Sequence, residues 1–312
     1  MKIGVMAAGG LGGYYGALLA RDGHDVTYIA RGAHLKAIRS GGLVIRSIHG
    51  DVVHKPAKAT DNPAEVGPVD WILFGVKTYD TIAAAQAMRP MVGANTAVIT
   101  FQNGVESADQ IGANVGMEHV LVAPTQIVSN ITAPGLIEQK SPFRSTTVGE
   151  VSGQGLTPRV EKIVAELKRT GVDASAAADG RKPLWHKFVF IASTSGLASL
   201  ARTAPYDLFQ LPEARATLHA AMAEVYAVGK ALGAPMDDDI VERQYQFTLK
   251  FGPGQKPSMQ LDVEQGKRLE IDALSGAVVR LGAAKGIATP VHQTIYVGLK
   301  MEDTRRTAPS KS

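Results

Sequence analysis

Short apolar runs alternate with amphipathic stretches through the first half of the chain. "MKIGVMA", positions 1–7, enters the glycine-rich "AGGLGGYYGALLARDGH", a pattern that predicts a short strand, a tight turn and a helix ending near Gly23. "DVTYIAR" is rich in β-branched and aromatic residues and predicts a second strand. "VDWILFGVK" and "TAVITFQNG" are apolar at successive positions, as parallel strands covered on both faces are. The stretch between them, "YDTIAAAQAMRPMV", predicts a helix. Strands alternating with helices imply a parallel sheet with right-handed crossovers.

From "HVLVAPTQI" to "STTVGEV" the pattern predicts further strands, with room for antiparallel pairing. "TPRVEKIVAELKRTG" predicts an amphipathic helix with a threonine cap and a glycine stop, and "VDASAAADGRKP" a strand leading into a domain boundary. The remainder reads as long helices, at 184–201, at 212–233 and within 258–286, the last preceded by the loop "KFGPGQKPS". No internal repeat or long low-complexity segment interrupts this order. The expected fold class is α/β, a Rossmann-like amino-terminal domain over 1–179 followed by an all-α carboxy-terminal domain over 180–312.

Composition adds exclusions. The length of 312 residues suits two domains, and 45% hydrophobic with 20% charged residues is an ordinary globular balance. With no cysteine there are no disulfides, zinc–thiolate sites or thiol nucleophiles, which fits a cytoplasmic setting. "MKIGVM" lacks the layout of a secretory signal, and no run approaches the roughly 18 apolar residues of a membrane span. The net charge of +4 is mild and scattered, and "RRTAPSKS" reads as a short polar tail. Nucleic acid is therefore not an expected partner, whereas an anionic cofactor or substrate is. The histidines show no metal-ligand spacing, and the serines of "ASTSG" have no nucleophile-elbow context.

The glycine turn carries the first chemistry. In "AAGGLG", Ala7 stands at the first position of G-x-G-x-x-G while Gly9 and Gly12 keep the other two. A plain tight turn is the bland alternative, but the setting after an initial strand and before a helix favours a dinucleotide. Backbone groups of Ala8, Gly9, Gly10, Leu11 and Gly12 would then cradle the pyrophosphate at a helix amino terminus. Ala7 suggests a slightly altered turn, accommodated by Gly10 and Gly13. The second strand ends in "YIARGAHLK" without the acid that would bind a ribose 2′-hydroxyl; Arg31 is placed to accept a 2′-phosphate instead, so NADP(H) is the expected cofactor. Lys36 could add charge but on a helix is more readily solvated. Lys77 and the pair Asn103–Gly104 each follow a buried strand and read together as a cofactor-side rim, although Asn-Gly is also a common turn pair.

"LWHKFVFIASTSGLASL" sets a lysine into an apolar helix. A lysine is rarely buried without a partner. Lys187, Ile191 and Ser195 share one helix face by their spacing, and His186 points about 100° away. An ammonium here would stabilise and protonate the oxygen formed when hydride reduces a ketone. The alternative is a snorkelling lysine with its head in water. "EQGKRLEID" alternates in charge like a solvated helix face, with Arg268 and Asp272 at the surface, and Ser258 could cap the helix starting at Met259.

Taken together, "GGLGGYYGALLARDGHDVTYIARG", "GVKTYD", "TFQNGVES", "LWHKFVF" and "PSMQLDVEQGKRLEID" resemble the ketopantoate reductase family over essentially residues 1–300. The resemblance implies NADPH-dependent reduction of 2-dehydropantoate in a cleft between domains. It makes Lys187 the proton donor and Glu270 its supporting carboxylate. Ser258 becomes a substrate contact, Asn103 a residue near nicotinamide and substrate, Lys77 the lysine after the third Rossmann strand, and Arg31 the basic residue for NADPH. Four and eight residues after the lysine the family carries asparagines, where this chain has Ile191 and Ser195. A related reductase acting on another 2-oxo or 3-oxo acid is therefore the second reading, and a non-catalytic NADP(H) sensor the third. The apolar helices near 215–235 would serve either a homodimer face or a core.

Overall fold

The computed structural model describes residues 1–151, 153 and 155–307. These form two compact units, residues 1–102 with 107–181, and residues 103–106 with 182 onward. Of the expected tail "RRTAPSKS", residues 305–307 belong to the last helix and 308–312 lie outside the described residues.

The first unit begins with β1 (Lys2–Met6), α1 (Gly10–Arg21), β2 (Asp25–Ile29) and α2 (Gly32–Gly41). Three short strands follow, β3 (Leu43–Ser47), β4 (Val52–His54) and β5 (Lys58–Thr60). Next come β6 (Val69–Phe74), α3 (Thr81–Ala87), β7 (Val92–Thr100), α4 (Ser107–Val115) and β8 (Val120–Val122). The unit closes with β9 (Thr125–Gln126), β10 (Ser129–Ala133), β11 (Leu136–Gln139), β12 (Ser145–Glu150), α5 (Pro158–Arg169) and β13 (Asp173–Ala177).

The large sheet runs β13-β12-β8-β7-β6-β1-β2-β5, with β9 paired to β12. From β5 to β8 every pairing is parallel. Counted along the chain, these six strands lie in the order 3-2-1-4-5-6 of a doubly wound Rossmann sheet. The strand preceding Lys77, β6, is thus the fourth of that order and not the third, because β5, hidden in a stretch of mixed polarity, takes the third place. Winding reverses between β1 and β6, so the loops that follow these two strands flank the position where open α/β sheets bind their ligands. The strand β12 joins β8 antiparallel, as the sequence allowed.

A second sheet, β10-β11-β3-β4, was not legible in the hydrophobic pattern. It lies against α1, whose glycines permit the approach: a Cβ on Gly10 would stand 2.1 Å from the Ser129 carbonyl oxygen, and one on Gly13 2.4 Å from Ile137. Strand residues Ile3, Val5, Leu73 and Ile99 are essentially inaccessible and join Tyr15 and Phe101, stacked at 4.8 Å, in one core. Helix α5 starts as expected, the Thr157 hydroxyl accepting from Val160 N–H.

The second unit is helical: α6 (Arg181–Ala201), α7 (Pro205–Leu208), α8 (Pro212–Ala231), α9 (Ile240–Thr248), α10 (Ser258–Glu264), α11 (Ser275–Ala284) and α12 (Pro290–Thr307). Pro183 lies in the first turn of α6, where its missing N–H costs no hydrogen bond. The single helix expected within 258–286 is instead two. Gly266, at φ +65°, ends α10, and an irregular link runs to Leu274 before α11 begins. The core of this unit joins Phe188, Val189 and Ala192 of α6 to Leu218, Met222 and Val225 of α8 and Ile295 and Leu299 of α12. Among the described residues no helix is long and apolar enough to cross a membrane.

Candidate active site

The glycine turn of the first unit keeps its geometry without its first glycine. Ala7 itself adopts φ +68°, the left-handed region in which an L residue costs roughly 1–2 kcal/mol relative to its usual conformations. The turn is therefore not relaxed through Gly10 and Gly13, as the sequence suggested; those two are packing positions. Gly12 is required for closeness, since a Cβ there would lie 2.5 Å from the Ala7 carbonyl oxygen. Gly9 differs, because a Cβ on it would meet nothing within 4 Å: the loop faces open space at the start of α1. The first N–H groups of that helix have no partner four residues back, so Gly10, Leu11 and Gly12 present donors suited to a phosphate.

Ala8 has another job. Its N–H donates to the Ile29 carbonyl at 2.9 Å, so it is not one of the phosphate donors the sequence suggested. Its carbonyl accepts from His34 Nε2 at 2.8 Å, while His34 Nδ1 accepts from Gly135 N–H at 3.0 Å. This fixes the proton on Nε2, and burial holds the imidazole below its ordinary pKa, so it stays neutral. Sequence reasoning passed over His34 because its second partner is 101 residues away.

Arg31 is exposed and extended, two residues beyond β2, at the amino end of α2. Lys36 is an exposed residue of α2. Lys77 is half-buried and extended, preceding a single turn of 3-10 helix after β6. The loops after β1 and β6 abut: Gly75 N–H donates to the Met6 carbonyl at 3.2 Å, and a Cβ on Gly75 would lie 3.3 Å from the Gly12 nitrogen. This set of groups fits a dinucleotide, with free helix-end donors, an open glycine and cations at the strand ends.

In the second unit, Lys187 Nζ donates to Asn103 Oδ1 at 2.8 Å. Protein atoms crowd the ammonium, and this desolvation pulls its pKa down to about 8 against the opposing field of Glu270. The residue is half-buried, and its head is bonded to Asn103. Asn103 is held by more than turn preference: Gly104 has φ +87°, and a Cβ there would stand 2.9 Å from the Ala273 carbonyl oxygen. Glu106 completes that anchor by pairing with Arg280 at 2.5 Å.

Glu270 is 7% exposed and lies in the irregular link, not on a solvated helix face. The link is tied down from both sides of it. Leu269 N–H donates to Asp303 Oδ1 at 2.7 Å, and Asp272 accepts from Tyr296 at 3.0 Å and Lys300 at 2.6 Å. Arg306 adds bonds to the carbonyls of Val263 at 2.9 Å and Lys267 at 2.8 Å. Arg268 is at the surface as expected; Asp272, its side chain 49% exposed, is there too and is also this tether.

Ile191 is half-buried and Ser195 has no exposed surface, with its hydroxyl unpartnered. Ser258 caps nothing; it is already the first helical residue of α10, with Pro257 in the capping position. His186 accepts from Asp237 N–H at 3.3 Å, apart from the lysine constellation. Among the described residues no group of three His, Asp or Glu side chains could hold a metal ion.

A doubly wound sheet with a glycine turn at its reversal point, in one chain with a desolvated lysine supported by a carboxylate and an amide, defines a pyridine-nucleotide-dependent oxidoreductase. The family model described as ketopantoate reductase PanE/ApbA matches residues 3–153, and that of its C-terminal part matches residues 179–302. The chain belongs to the ketopantoate reductase family. An uncharacterized oxidoreductase of Bacillus subtilis, YkpB, is 29% identical over 98% of this chain and 100% of its own length. The crystal structure of a 2-dehydropantoate 2-reductase from Geobacter metallireducens is 31% identical, with a TM-score of 0.90 over 96% of this chain and 99% of that one. A D-mandelate dehydrogenase solved with NADH and anilino(oxo)acetate shares the fold, at 22% identity and a TM-score of 0.90 over 99% of this chain and 100% of its own.

Proposed function

We propose that this chain reduces a small branched 2-oxo acid, ketopantoate or a close relative, to the 2-hydroxy acid with NADPH. The first unit would hold the cofactor and the second the acid chemistry, in the cytoplasm. The observation that carries the reading is the ammonium of Lys187, desolvated yet supported by Asn103 and Glu270. Bound NADPH supplies the hydride. As the carbonyl carbon receives it, the carbonyl electron pair moves to oxygen, and Lys187 delivers a proton there. Its charge stabilises that oxygen before the proton moves. Glu270 keeps the amine protonated between turnovers, and Asn103 orients it. Arg31, with no acid at the end of β2, supports NADPH over NADH.

Lys187→Ala is expected to lower kcat by about 10²–10⁴-fold with NADPH binding retained, since general acid help is typically worth that much. Turnover near the wild-type value overturns the assignment. Tight NADPH binding by the wild type with no turnover of any 2-oxo acid would make the protein a sensor instead.

A further inference from the structure

The face of α6 that carries Lys187 turns to hydrocarbon within one turn. Ile191 follows four residues on, about 6 Å along the axis, and lies on the same side. It is half-buried against the helical core, while its neighbours Phe190 and Ala192 are buried. Val105, two residues from the asparagine that the amine touches, is likewise a partly buried apolar residue against that core. Phe190, three residues from the lysine, meets Phe247 at 5.1 Å and Phe251 at 5.9 Å in a cluster of aromatic rings.

The hydroxyls on the same face are engaged or sealed. Thr194 bonds Thr248 Oγ1 at 3.1 Å, and Thr248 gives its own proton to the Gln244 carbonyl at 2.9 Å. Ser195 has no exposed surface, so its hydroxyl, though without a partner in the fold, is closed off from solvent. Beyond the amine, α6 therefore offers C–H surface where the side chain of an oxo acid would follow its carbonyl.

Resting on the reading of this site as a 2-oxo acid reductase, we propose that its preferred substrates carry an all-hydrocarbon side chain, branched or aryl, in place of the hydroxylated side chain of ketopantoate. A hydroxyl lodged against Ile191 gives up its bond to water and gains none. A hydrocarbon in the same place loses nothing polar and buries apolar area.

The acid 3,3-dimethyl-2-oxobutanoate shares the carbon skeleton of ketopantoate and lacks only its hydroxyl. The ratio of the two kcat/KM values, followed by NADPH oxidation, isolates that group. The expected ratio is about 10–100-fold in favour of the hydrocarbon acid, the range a hydroxyl makes in an apolar pocket, with phenyl-substituted oxoacetate also turned over. Ile191→Asn, which restores an amide, is expected to lower the ratio by about tenfold, and Ile191→Leu to keep it. Each ratio is taken within one preparation, so partial loss of folded enzyme cancels. A wild-type preference for ketopantoate, or a ratio unmoved in Ile191→Asn, overturns the inference and leaves 2-oxo acid reduction standing. No NADPH oxidation with any of these acids overturns the underlying reading of the site as well.

Discussion

Lys187 works between two opposing influences. Burial favours the neutral amine and brings the pKa to about 8, while Glu270 favours the ammonium. In the proposed mechanism the proton donor is the charged form, so activity is expected below the pKa and is lost as pH rises through it. With a saturating cofactor, kcat/KM for the oxo acid is expected to stay level up to about pH 8 and then fall tenfold per unit, as for one titrating acid. In Glu270→Gln the support for the ammonium is removed, so the falling limb moves to lower pH. A limb unmoved by that substitution would show that Glu270 does not act on the amine. At this scale the lysine was legible, because an ammonium in an apolar helix demands an explanation. The engaged N–H of Ala8 and the role of His34 were not, since both depend on partners distant in the chain.

The element that supports Glu270 is α12, through bonds that no local pattern announces. The charged run "EQGKRLEID" reads as a helix face, yet Gly266 stops the helix. Asp303, Tyr296, Lys300 and Arg306 then satisfy groups of the link across 24 to 39 residues of chain. Asp303 is 4% exposed, and its carboxylate holds the N–H next to Glu270. Asp303→Ala leaves a buried donor without its partner, which costs about 1–3 kcal/mol of stability. It also loosens Glu270, so the alkaline limb of the pH profile should shift down together with the fall in Tm. A Tm loss with an unmoved limb would make Asp303 a structural residue only. The helix boundary at Gly266 was within reach of the sequence; the tether was not, because it is a tertiary substitute for helical hydrogen bonds.

At the scale of the whole molecule the division of labour follows the change of pattern near residue 180, where alternating strands and helices give way to helices alone. The parallel sheet was legible because its strands are apolar on both faces, whereas β3, β4 and β5 are short and mixed in polarity and become strands only through their partners. On the proposed reading, cofactor choice belongs to the first unit and should vary independently of the chemistry in the second. Arg31 is exposed beyond β2 with no carboxylate in the "YIARGAHLK" segment to take a ribose hydroxyl. A guanidinium–phosphate bond is worth about 1.5–3 kcal/mol, or roughly 10–100-fold in affinity. Arg31→Ala should therefore raise the Kd for NADPH by that factor, measured by quenching of protein fluorescence, and leave the Kd for NADH nearly unchanged. Because NADH lacks the 2′-phosphate, an equal loss for both cofactors would mean that Arg31 supports the loop and reads nothing. A loss confined to NADPH ties Arg31 to the one group by which the two cofactors differ.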